Sequence, residues 1–124
     1  MNDTTQAAND TAPLDLATMR EAVDRLLDPD AVPDALPPVG DELPTLTLQI
    51  KGHLHLLIPE LEQAAEKLPP DSVRRYTLRQ ALWEARSRLE AEPSSRYGGA
   101  LGHTRRLARV LNMLCDQFEA LPRA

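Results

Sequence analysis

The stretch ALGHTRRLARVLNMLCDQFEAL, residues 100–121, decides the fold. Its core-forming positions Ala100, Thr104, Leu107, Leu111, Leu114, Phe118 and Leu121 step by 4, 3, 4, 3, 4 and 3. That spacing places them on one face of an α-helix, and the period-two alternation of a strand does not fit it. Leu101, Ala108 and Cys115 widen the face beyond a narrow seam, so the helix is expected to touch more than one neighbour. The pattern predicts a helix over about 99–121.

Upstream, Leu43, Thr47, Ile50, Leu54, Leu57, Leu61, Ala64 and Leu68 step by 4, 3, 4, 3, 4, 3 and 4, and Leu46, Ile58 and Ala65 thicken the stripe. This is a second long helix, about 43–68, with Pro44 suited to its first turn. Pro59 lies inside it, cannot donate to the His55 carbonyl and crowds that turn, which predicts a kink. Pro69 and Pro70 end it. Asp71 or Ser72 then caps a third helix, about 72–91, with Leu78, Leu82, Ala85 and Leu89 as its core stripe. Pro93 and the SSRYGG run, read as a flexible loop, separate it from the last helix.

Before these, Leu16, Met19, Val23, Leu26 and Leu27 share a face of a first helix, about 14–27, capped by Asp15 and stopped by Pro29. Residues 28–42 carry four prolines and a glycine and read as a stiff linker. Residues 1–13 are small and polar and read as a disordered tail. The fold class expected is all-α: a compact four-helix bundle spanning 14–121, with the first helix covering the groove left by three antiparallel ones.

The 124 residues suit one domain, and 42% hydrophobic content supports a core without metal or disulfide staples. Aromatic residues are only 3%, so aliphatic side chains must fill it. The net charge of −5 argues against non-specific nucleic-acid binding. Charge is unevenly spread: residues 1–72 net −10 and residues 73–109 net +6. An acidic half packed against a basic half accounts for this, and a local anion site in the basic half is the sharper alternative. One cysteine excludes an internal disulfide, no apolar run approaches a membrane span and no secretory pattern opens the chain. A cytoplasmic protein is expected.

Chemistry-bearing constellations are sparse. His53 and His55 face opposite sides of a helix, no Glu is followed by His three residues later, and Cys115 is the sole thiol, so no metal and no cofactor are expected. Cys115 has an acid rather than a cation beside it, which suits a buried structural thiol better than a nucleophile. No phosphate loop, nucleophile elbow or triad is present, and no catalytic residue is assigned. Tyr76, Arg79, Trp83 and Arg86 share a helical stripe and form the candidate interaction surface. The alternative is that both aromatics pack under the first helix while the arginines reach solvent. Arg74, Arg75, Arg105, Arg106 and Arg109 are the cations a nucleic-acid reading would need; the acidic total and the missing helix-turn-helix pattern argue against it.

Two stretches, LQIKGHLHLLIPELEQAAEKLPPDSVRRY at 48–76 and HTRRLARVLNMLCDQFEAL at 103–121, resemble a family of short actinobacterial proteins labelled natural product biosynthesis proteins, a domain of otherwise unknown function. GHLHLLIPELE at 52–62, EARSRLEAEP at 84–93 and RLARVLNMLCDQFE at 106–119 are the most specific parts. The resemblance implies a specialised-metabolite setting and supplies no catalytic residue. Matching positions include His53, Glu60, Asn112 and Asp116, which become the candidate polar site: they are expected to meet where the second and fourth helices adjoin, as a register-fixing network or as a ligand site. The function expected is a non-catalytic helical accessory protein with an unidentified protein partner. The alternative is a small-molecule binder or enzyme using the polar site near Pro59. The sequence leaves homodimerisation open.

Overall fold

The computed structural model describes residues 15–27 and 42–122; the tail at 1–13 and the linker up to residue 41 lie outside the described residues. Four α-helices form an all-α bundle: α1 Leu16–Leu27, α2 Glu42–Lys67, α3 Val73–Glu90 and α4 Gly99–Glu119, with a short 3-10 turn, Ser95–Tyr97, before α4. Their ends differ from the sequence reading by one or two residues, where local capping decides. Asp15 caps α1, accepting from the Thr18 backbone N–H at 3.0 Å and from its hydroxyl at 2.6 Å. Ser72 rather than Asp71 caps α3, accepting from the Arg75 N–H at 3.1 Å. The helix of α2 continues through Pro59 without a break.

The segment before α4 is an ordered turn and not the flexible loop expected. Ser94 caps the 3-10 turn and bridges to Gly99, whose N–H donates to the Ser94 carbonyl at 2.8 Å. Gly98 holds φ +91°, and a Cβ there would sit 3.1 Å from the Gly102 Cα. Only glycine turns the chain so sharply and so close to the next turn of helix.

Helix α4 organises the packing. It touches α1, α2 and α3, whereas α1 and α3 make no mutual contact among the described residues. Its buried residues run from Val110 and His103 on one edge to Ala108 and Cys115 on the other. At 3.6 residues per turn they cover an arc of about 160°, wide enough for three partners. Leu107, Leu111 and Leu114 meet Ile50, Leu54, Leu57 and Leu61 from α2, Leu78 and Ala85 from α3, and Met19 and Val23 from α1 in one continuous aliphatic core. Ala100, read as the first position of the stripe, is exposed.

Helices α2 and α4 run parallel, and one buried polar pair sets their register. The Thr47 and Thr104 hydroxyls lie 2.6 Å apart, and each also reaches the carbonyl four residues back, at 2.8 Å to Leu43 and 3.0 Å to Ala100. Two hydroxyl hydrogens serve three contacts, so one hydroxyl donates to its own carbonyl and the other to its partner. Between α2 and α3, Glu66 accepts from Arg75 at 2.8 Å and Arg79 at 3.1 Å, and Glu62 pairs with Arg86. The acidic and basic halves of the sequence therefore do face each other along this seam.

Leu111→Ala is expected to lower unfolding free energy by about 3–5 kcal/mol, since it empties the junction of several helices. Leu48→Ala, on the outside of α2, should change it by less than about 0.5 kcal/mol. Urea denaturation followed by far-ultraviolet circular dichroism compares the two.

Candidate functional site

Asn112 and Asp116 lie one turn apart on α4, at the border with α1, and what reaches them is Arg20. Its guanidinium donates to Asn112 Oδ1 at 2.6 Å and to Asp116 Oδ1 at 2.9 Å, and also pairs with Glu119. These partners hold the Arg20 pKa above its ordinary value, Asp116 first and Glu119 second. The network is a clasp between first and last helices. Arg20 stands beside the buried Met19 and one turn before Val23, at the edge of the apolar face of α1. Sequence reading passed it over because nothing in a helical period shows which distant acid an edge cation will meet.

The other two members of the candidate site stand elsewhere. His53 is half-buried on α2 in an open groove of about 440 Å³ against Thr18, Glu21, Ala22 and Arg25 of α1. Glu60 is exposed and lines a different groove, of about 450 Å³, where Lys67 at the end of α2 and Leu68 just beyond it meet Phe118 of α4 and Leu121 past its end. Neither groove includes Asn112 or Asp116. The structure thus joins Asn112 to Asp116 through Arg20, and leaves His53 and Glu60 apart from them and from each other. The reason is placement along and around α2: His53 opens toward α1, Glu60 toward the Phe118–Leu121 end of the bundle, and Asn112 and Asp116 toward Arg20.

Two buried groups bear on reactivity. Cys115 is fully buried, and burial pushes its thiol up to about 11, outweighing the nearby Arg20 charge. A thiol so held stays protonated at neutral pH, which fits a packing role. His103, at 4% exposure, was not singled out by sequence reading as part of the core, yet it falls four residues before Leu107 and seven before Val110 on the same face. Its Nε2 has no hydrogen-bond partner among the described residues. Burial holds its pKa below the ordinary imidazole value, reinforced by the charges of Lys51 and Arg106, and burial likewise lowers His53. Among the described residues, no three His, Cys, Asp or Glu side chains are grouped to hold a metal ion.

The second candidate surface is laid out along α3. Tyr76 is 66% exposed and Trp83 68% exposed, with Val73 at 79% on the same stripe. The alternative in which the aromatics pack under the first helix is corrected: α1 and α3 lie on opposite sides of α4. Arg79 and Arg86 border the stripe and are tied down by Glu66 and Glu62, so the aromatics stand beside a charge-balanced edge. A shallow depression of about 350 Å³ runs between Trp83 and this ladder.

A family model described as a family of unknown function, DUF6415, matches residues 17–123. No curated protein and no solved structure matches the chain. Among the described residues, no helix is long and apolar enough to cross a membrane.

Burial separates the energies within the clasp. The Arg20–Asn112 contact is partly buried and charge-assisted, whereas Asp116 and Glu119 are largely exposed. Asn112→Ala is therefore expected to cost about 1.5–3 kcal/mol, and Asp116→Ala no more than about 1 kcal/mol, both measured by urea denaturation at moderate salt.

The histidines set an acid dependence. A pKa lowered in the folded state means that the unfolded chain takes up the proton first. Their contribution is whole above the ordinary value of 6.5 and is lost as pH falls below it. His103→Leu should flatten the fall in unfolding free energy between neutral pH and the mildly acid range. An unchanged slope would show that His103 does not titrate with unfolding.

Proposed function

We propose, for this chain, which belongs to the DUF6415 family of unknown function, the role of a non-catalytic helical accessory protein that binds another protein through the Tyr76–Trp83 face of α3. One observation carries the reading: Phe118 packs against the core of the bundle, whereas the sole tryptophan and a tyrosine stand on an outward stripe. Burying such side chains is favourable, and interfaces concentrate their binding energy in Trp, Tyr and Arg. Arg79 and Arg86 are already paired within the chain, so the rim needs no strongly acidic partner. The partner expected presents an apolar pocket with a polar, near-neutral border.

The cellular setting we infer is the cytoplasm, on the lone buried thiol. A place beside natural product biosynthesis, in an actinobacterial context, rests on the resemblance of residues 48–76 and 103–121. The alternative, a small-molecule binder or enzyme using His53, Glu60, Asn112 and Asp116, has weaker support, because these groups point to three separate places and Asn112 and Asp116 are engaged by Arg20.

Trp83 is the only tryptophan, so its emission reports the stripe directly. A partner captured from the source cells should shift that emission to the blue. Trp83→Ala should weaken its binding by at least about thirtyfold, the size of a 2 kcal/mol hot spot. Equal retention by the two chains would remove the α3 face from the function.

A further inference from the structure

The outer face of α2 differs from an ordinary solvated helix face. Over residues 45–59, Thr45, Leu48, Gly52, Leu56 and Pro59 run along it with Gln49 and His55, all exposed and with no Asp, Glu, Lys or Arg among them; charge returns to this face only further on, at Glu66 and Lys67. A chain with 27% charged residues would be expected to place several there, since the outward side of a bundle helix is where charge normally collects. Leu48 is 70% exposed and Leu56 60% exposed. Depletion of charge around apolar anchors marks the centre of an interface.

Gly52 is not explained by its surroundings among the described residues. It sits mid-helix, where glycine costs about 1 kcal/mol relative to alanine, and a Cβ built on it meets nothing within 4 Å. No neighbour among the described residues requires its smallness. A glycine between two exposed leucines lets a second backbone come close, with the leucines packing on either side.

We infer that this face is a homodimer interface in which two α2 helices cross antiparallel at Gly52. The register identifies the occupant as a second copy. A twofold axis at Gly52 pairs each residue with the one equally far on the other side: Leu48 with Leu56, Gln49 with His55, Thr45 with Pro59. Apolar meets apolar, an amide meets an imidazole, and no like charges are opposed among these pairs, as an isologous contact demands. Further outward, Glu60 falls opposite Pro44, and Glu42 falls opposite Glu62, each of these last two already paired with an arginine of its own chain, Arg25 and Arg86. Antiparallel crossing also opposes the two helix dipoles favourably. The grooves beside Gly52 and beside Thr45, about 440 and 280 Å³, border the stripe on the α1 side and offer room for the partner's leucines. The α3 stripe offers no such close approach, since the midpoint between Tyr76 and Trp83 falls at Arg79 and Gln80, not at a small residue. A single helix crossing buries less than the roughly 800 Å² per partner of a standard interface, so the dimer is weak and reversible.

Sedimentation velocity of the full chain over a concentration series tests this. The expected result is a reversible monomer–dimer equilibrium. Gly52→Leu and Leu48→Glu should each raise its dissociation constant at least about tenfold, and Trp83→Ala should leave it unchanged. Both interface substitutions fall on open surface, and circular dichroism checks that the helices persist. A chain monomeric at every concentration overturns the inference, as does a dimer indifferent to Gly52→Leu. Since Trp83→Ala reports the α3 face and Gly52→Leu the α2 face, failure of one reading leaves the other standing.

Discussion

The burial of the broad apolar arc of α4 is the constraint on which the rest of this structure depends. A helix with one narrow stripe needs one neighbour; an arc of about 160° exposes far too much aliphatic surface unless three helices cover it. Helix α2 takes the middle, α3 one flank and α1 the other, and these last two never meet among the described residues. The polar features follow from that arrangement. The Thr47–Thr104 pair fixes how far α2 slides along α4, the Glu62 and Glu66 ladder fixes α3 on α2, and Arg20 ties α1 to the far end of α4.

The division of labour among polar residues also explains why no chemistry converges. Cations at the edges of the helices are paired across seams, the one thiol is held protonated in the core, and the one fully buried histidine is isolated there. What remains to meet other molecules is the outward surface, and it is unusual in two places. The α3 stripe carries aromatics beside a neutralised charge ladder. Over residues 45–59 the outward α2 stripe is free of charge and centred on a glycine with no close neighbour among the described residues. Both faces owe their exposure to the same geometry, since each lies opposite the side its helix gives to α4.

Much of the fold was legible from residue spacing, because a 3.6-residue period is a local property of the chain. Leu107, Leu111 and Leu114, and Ile50, Leu54, Leu57 and Leu61, declare their own burial through the residues three and four away. Caps at Asp15 and Ser72 were legible for the same reason. His103 carried the signal too, at four residues from Leu107, but its residue type argued for the surface. The ordered turn at Ser94–Gly99 was missed because two glycines permit both a floppy loop and a fixed positive-φ turn, and the hydrogen bond from Gly99 to Ser94 chooses between them.

By itself the sequence determined the number, type and inward faces of the helices, since these depend on neighbours within a turn or two along the chain. It did not determine which helix lies beside which. Tertiary structure alone decided that Asn112 and Asp116 meet Arg20 rather than His53 and Glu60, and that Tyr76 and Trp83 face outward because α1 sits on the other flank of α4. Contacts between residues more than ninety positions apart, such as Arg20 with Asn112, depend on helix order and rotation, and a periodic pattern carries neither.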